Sequence, residues 1–263
     1  MKPHHPFNSY GEGRLRRLIY LHCDSQQFAV GWMEDDFHHF GVMVKHDGKK
    51  VIDIHMEAAR YPWETCPGAA QPLKALIGQP LIPRASDIGK LLEMRQQCTH
   101  VFDLTGLVLA QAFKRRPRRR YEAIIPDREI VEQKELLSPI FGPGTASLKL
   151  NNRDVLEWGL EGDCIISPAC HAGQTLNKGF RGWSETLDED TAEYATILRR
   201  SILVAGGRSI NHDNLPNAAY NSAIALCHSF QPERSHMAWR VIGSTRDHST
   251  SSRGMLARVR QQP

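Results

Sequence analysis

Residues 41–68 read GVMVKHDGKKVIDIHMEAARYPWETCPG, and this stretch decides the fold. Two alternating apolar runs, Val42-Met43-Val44 and Val51-Ile52-Asp53-Ile54, flank Lys45-His46-Asp47-Gly48. Asp-Gly between such runs predicts a β-hairpin with left-handed backbone at both central turn residues. The chain then leaves the sheet through Arg60-Tyr61-Pro62-Trp63 and reaches Cys66-Pro67-Gly68.

A similar pattern recurs 104 residues later. In KLNNRDVLEWGLEGDCIISPACHAG, residues 149–173, the positions of Lys45, Val51, Glu57 and Cys66 fall without gaps on Lys149, Val155, Glu161 and Cys170. Ile52 falls on Leu156 and Met56 on Leu160, while Asp47-Gly48 falls on Asn151-Asn152, a pair that also tolerates left-handed backbone. Turn chemistry, strand pattern and cysteine together point to a tandem internal duplication.

The chain of 263 residues is long enough for one large domain or two half-size ones. Its hydrophobic fraction of 41% and charged fraction of 24% are those of an ordinary soluble protein. Much of the net charge of +4 sits in one run, Lys114-Arg115-Arg116-Pro117-Arg118-Arg119-Arg120. That run has no interleaved aromatics and reads as a basic linker rather than a nucleic-acid arm. No apolar run approaches the roughly 20 residues of a spanning helix, and the N-terminus carries no targeting signal. A cytoplasmic protein without membrane contact is expected. Six cysteines (23, 66, 98, 164, 170 and 227) are too sparse for a disulfide scaffold and read as core residues, ligands or reactive thiols.

Taken in order, residues 1–13 form a flexible leader and residues 14–113 a first repeat of antiparallel strands followed by helices. The helices are expected at AAQPLKALIG, SDIGKLLEMRQQ and VFDLTGLVLAQAFKR. Residues 114–120 are the linker, and residues 121–243 a diverged second repeat with strands YEAIIP and REIVEQ and helices TAEYATILRRSILVAGG and NAAYNSAIALCHSF. Residues 244–263, rich in Ser, Thr and Arg, read as a disordered tail. The fold class is α+β, each half a hairpin and its strands followed by helices.

The elements of the first half resemble a bacterial domain-of-unknown-function family, number 2889. The resemblance lies in His38 ahead of a strand, the strand pair from Val42 to Asp53, the Pro62 to Pro67 element with its Cys66-Pro67, Leu76 to Gly78, and Cys98-Thr99-His100-Val101. It covers residues 14–113 and implies an association with clusters for acyl-CoA, steroid or aromatic breakdown. The order of strand, hairpin, cysteine at a helix start and later cysteine is also similar to the NifU/IscU-type iron–sulfur scaffolds. That likeness implies convergence of His38, Cys66 and Cys98 or His100 on one site.

Several familiar signatures are missing: Gly-x-Gly-x-x-Gly after a strand, a P-loop, a Gly-x-Ser-x-Gly elbow and His-Glu-x-x-His. The expectation is therefore an enzyme using cofactor-free acid–base chemistry (lyase or decarboxylase, isomerase or hydrolase) on a small organic acid or its CoA thioester, aromatic or polycyclic. His38 and His100 would exchange protons, and Cys66 would be a nucleophile if a following helix lowers its pKa. Arg60, Trp63 and His212 would bind the substrate, while Cys170-His171 and His212-Asp213 could form a matching second site. The alternative is a non-catalytic metal or ligand carrier of the same pathway. If zinc or iron were held, His38, Cys66, Cys98 and His100 would be its donors.

Overall fold

The computed structural model describes residues 10–24, 27–133, 139–220, 227–257 and 259. The chain forms two compact units, each assembled from separate segments. One, called here the site unit, takes Leu18–Arg120, Asp213–Arg246 and Gly254–Pro263; the companion unit takes Met1–Arg17, Tyr121–His212 and Asp247–Arg253. Contiguous halves were expected from the sequence. Instead, residues of the supposed tail are shared between both units, and Met255 and Leu256 are buried against Leu18 and Trp32 of the site unit.

The strands of the site unit are β1 (Arg14–Cys23), which begins in the companion unit, β2 (Phe28–Glu34), β3 (His39–His46) and β4 (Val51–Arg60). They lie antiparallel in sequence order. The expected hairpin is β3–β4, with Val42 facing Met56 and Val44 facing Ile54. Its turn differs from the expectation, because only Gly48 of the Asp-Gly pair has positive φ, at 90°. The Asp47 carboxylate instead accepts from the amides of Lys49 (2.8 Å) and Lys50 (2.7 Å), which closes a longer loop.

Beyond β4 come α1 (Ala70–Leu73), framed by two short 3-10 turns, and α2 (Thr99–Phe113). Gly78, at φ 84°, ends the first of these segments, as its composition predicted. The expected helix over SDIGKLLEMRQQ breaks into two 3-10 turns, Ala85–Lys90 and Met94–Gln96. Tertiary packing decides this, since the turn at Ala85 lies directly against α2 at Gly106, where even a Cβ would approach the Ala85 carbonyl oxygen to 2.3 Å.

α2 is apolar almost all round and lies on the face of the sheet to which Phe40, Val42 and Val44 belong. Gly31 permits the close approach, because a Cβ there would meet Val108 at 2.4 Å and Leu104 at 3.0 Å.

In the companion unit, β5 (Arg119–Pro126), β8 (Gly144–Leu150), β9 (Arg153–Glu161) and β10 (Cys164–Ser167) lie in the order β10-β9-β8-β5. A separate ribbon pairs β6 (Ile130–Gln133) with β7 (Pro139–Phe141). Helices α3 (Phe180–Glu185) and α4 (Glu189–Ala205) follow, and the Asp188 carboxylate caps α4 by accepting from the amides of Asp190 (3.1 Å) and Thr191 (3.0 Å). The β8–β9 turn places both Asn151 (φ 49°) and Asn152 (φ 67°) in the left-handed region, as their side chains allow.

The 104-residue offset matches β3 to β8 but does not hold across the turn: Val42 faces Met56, whereas Ala146 faces Trp158 rather than Leu160. The two hairpins thus differ in register. Of the expected last helix, Ala218–Tyr220 and His228–Phe230 are short 3-10 turns, and residues 221–226 lie outside the described residues. Among the described residues no helix is long and apolar enough to cross a membrane.

Candidate functional site

The β2–β3 connection is the four-residue turn 35–38, closed by the Asp35 amide donating to the His38 carbonyl at 2.9 Å. The Asp35 carboxylate holds the turn from within. Its Oδ1 accepts from the amides of Phe37 and His38, both at 2.8 Å, and lies 3.1 Å from His38 Nδ1. With two amides already donating to Oδ1, the imidazole must approach it as an N–H donor, which sets the tautomer of His38. Asp35 is fully buried and His38 is 9% exposed.

His38, the last residue of the turn, and His39, the first of β3, diverge. The His38 ring lies toward Phe40 and His100, and the His39 ring lies edge-on to Trp32 with its Nδ1 3.6 Å from Glu34.

The second wall of the site is the first turn of α2. Cys98 is its N-cap residue, and the Cys98 carbonyl accepts from the Phe102 amide at 2.8 Å. That turn sets the His100 ring over His38, with ring centroids 3.9 Å apart and planes inclined by 31°. The Cys98 thiol lies 3.8 Å from His100 Nδ1. Asp35, His38 and His100 each offer one ligand atom, and these three atoms lie within 4.8 Å of one another. Both expected acid–base histidines therefore meet although the chain separates them widely. Sequence reasoning missed Asp35. Its signal was the acidic cluster Glu34-Asp35-Asp36 just before the histidines, in which a carboxylate three residues ahead of His38 can close a tight turn on it.

The remaining expected site residues have other surroundings. Cys66 is buried with its thiol 3.4 Å from Ser229 Oγ, and burial pushes its pKa from 9.0 up to about 12. The expected lowering at a helix start fails, because desolvation dominates and only a 3-10 turn and the four-residue α1 follow. Burial likewise raises the Cys98 thiol.

Both thiols are therefore neutral in the folded chain at pH values where an unfolded thiol ionises, so stability present below about pH 9 is lost as pH rises further. A thiol reagent at pH 8 should label the exposed Cys170 rapidly, leaving Cys66 and Cys98 protected until denaturant is added. Rapid labelling of Cys66 in the folded chain would restore it as a nucleophile.

Trp63 is a core residue, edge-on to Phe230 with ring centroids 6.0 Å apart and 5.7 Å below the Arg240 guanidinium. His212 belongs to the companion unit, where its Nε2 lies 3.1 Å from the Gly207 carbonyl. In the same unit Cys170 is exposed and His171 accepts from Trp158 Nε1 at 2.9 Å, a core contact. Arg60, expected to bind an anionic substrate, directs its guanidinium at the turn 35–38 itself: Nη1 donates to Asp36 O and Nη2 to Asp35 O and His38 O.

Residues 23–114 match the family model described as "Protein of unknown function (DUF2889)", the family that the sequence resembles. All three convergent residues lie within that segment. No curated protein matches the chain.

Proposed function

We propose that the DUF2889 segment of this chain holds one divalent transition-metal ion through Asp35, His38 and His100, and that the protein is an enzyme acting through it on a small organic acid or its CoA thioester. The observation that carries this reading is the separation of the donor atoms. Asp35 Oδ1 and His38 Nδ1 stand 3.1 Å apart. With metal–ligand bonds of about 2.1 Å, neighbouring ligands of a tetrahedral or octahedral ion are about 3.0–3.4 Å apart. The pair is already at that spacing, and an ion would replace the proton they share. All three donors within 4.8 Å leave little rearrangement to bring in His100.

Two imidazoles and one carboxylate suit zinc or ferrous iron and leave further coordination positions for water or substrate. Bound there, an ion would activate water or polarise a carbonyl, the step that attack on a thioester or decarboxylation needs. Cofactor-free proton transfer by His38 and His100 fits less well, because rings stacked at 3.9 Å leave no room for a substrate between them. Asp35, His38 and His100 would thus be the donors, and the small-molecule class rests on the expectation from the sequence.

Protein purified without chelator should carry about one equivalent of zinc or iron, and His100→Ala or Asp35→Ala should weaken binding at least ~100-fold while remaining folded. Undiminished binding in either variant would remove the site. A metal-free wild-type protein that turns over acyl thioesters would return the pair to acid–base chemistry.

A further inference from the structure

We infer that Arg60 is a positioning residue whose guanidinium holds Asp35 and His38 in the arrangement that the metal site requires. The inference rests on the metal reading for its function but on the turn geometry for its substance. Nη2 of Arg60 reaches the carbonyls of Asp35 (2.5 Å) and His38 (3.3 Å), and Nη1 reaches the carbonyl of Asp36 (2.8 Å). Three of the four carbonyls of the turn therefore converge on one side chain. The amides of Phe37 and His38 point the other way, into the Asp35 carboxylate. The turn is held between a cation that gathers its carbonyls and an anion that gathers its amides, and that anion is one of the proposed ligands.

Arg60 is itself aimed. The β3–β4 register skips Ala59, with Phe40 facing Ala58 and His39 facing Arg60, so a bulge at the end of β4 turns the Arg60 side chain toward the connection. Glu34 Oε1 pairs with Nη2 at 3.1 Å, and the Ser244 carbonyl accepts from Nη1 at 3.2 Å. The chain near Ser244 adds its own support, since the Arg246 amide donates to the Asp36 carbonyl at 2.7 Å. The Leu256 amide secures the other Glu34 oxygen at 2.6 Å. A planar fork with five N–H donors can serve this many acceptors at once, whereas an ammonium with three rotatable donors cannot.

The experiment compares wild type, Arg60→Met and Arg60→Lys by two measurements. In metal-free protein, NMR of the imidazoles follows the His38 Nδ1–H proton shared with Asp35, which a held turn protects from exchange with water. Cobalt(II) titration follows affinity and, at saturation, the visible spectrum that reports coordination geometry. Arg60→Met should lose the protected proton, bind cobalt about 10–100-fold more weakly and change the saturated spectrum, as removal of an outer-shell partner does. Arg60→Lys should fall between the two.

A merely structural role would lower thermal stability and leave proton and spectrum alone. Proton, affinity and spectrum all unchanged would overturn the inference. If Arg60→Met does not fold, Arg60→Lys carries the same test, because unchanged proton and affinity there would mean that the fork is not needed. A wild-type protein that takes no cobalt sinks the metal reading, and the imidazole proton in the metal-free variants still decides the role of Arg60.

Discussion

Arg208→Met should lower the stability of the chain by about 3–5 kcal/mol in denaturant unfolding, the cost of leaving one partner of a buried ion pair alone. Arg208 is fully buried in the companion unit. Its guanidinium meets both oxygens of Asp127, Nε to Oδ1 at 2.7 Å and Nη2 to Oδ2 at 3.2 Å, and the Asp127 side chain is only 1% exposed. Nη2 also donates to Ser249 Oγ at 3.0 Å, and Nη1 lies 3.4 Å from Asp247.

One side chain thus ties residues 247–249 to the strand end at Asp127. Gly13 makes room for it, since a Cβ there would come within 2.5 Å of Arg208 Nη2. Methionine fills part of the volume but leaves the Asp127 carboxylate buried and unpaired. The double variant Arg208→Met with Asp127→Asn should recover part of the loss, because the unpaired charge is gone. A loss below about 1 kcal/mol for the single variant would class the pair with surface ion pairs.

The second large effect is expected at Gly106→Val. Helix propensity alone argues for a gain, because glycine in a helix interior costs roughly 0.5–1 kcal/mol relative to better helix formers. Packing argues the other way and prevails. The Cβ would stand 2.3 Å from the backbone oxygen of Ala85 and 3.2 Å from Ile88 Cγ2. A carbonyl cannot swing aside as a side-chain tip can, so α2 or the 3-10 turn Ala85–Lys90 must move, at an overpacking cost of about 3 kcal/mol. Because α2 carries His100 in its first turn, the variant should also weaken the metal binding proposed for Asp35, His38 and His100, at a temperature where both proteins are folded. Equal stability by thermal unfolding would mean that the turn at Ala85 yields freely.

Much of the site unit was legible before its structure. Apolar alternation on either side of Asp47-Gly48 yielded the β3–β4 hairpin, and the dense apolar run after Cys98-Thr99-His100 yielded α2. His38 and His100 were legible as a pair. Arg60 was noticed for its charge but assigned to a substrate, because a sequence cannot say whether a cation will face a ligand or three carbonyls of its own chain. Cys66 would be a nucleophile only if a helix start lowered its pKa, and burial raises it instead. Asp35 carries no signal of burial in the sequence, and its burial follows from the way β2 and β3 are joined.

The sequence by itself determined the elements whose forces are local. Strands follow from side-chain alternation, α4 from its Asp188 cap, and the left-handed turn from Asn151 and Asn152. Only the tertiary structure decided which distant groups meet and which are taken from water. It brought His100 onto His38, set Asp35 beside that pair, and turned Arg60 inward. It also divided the chain into discontinuous units, burying Met255 and Leu256 from a stretch that looked disordered. The physical reason is that desolvation and long-range packing depend on neighbours far along the chain, and composition within any one window carries no record of them.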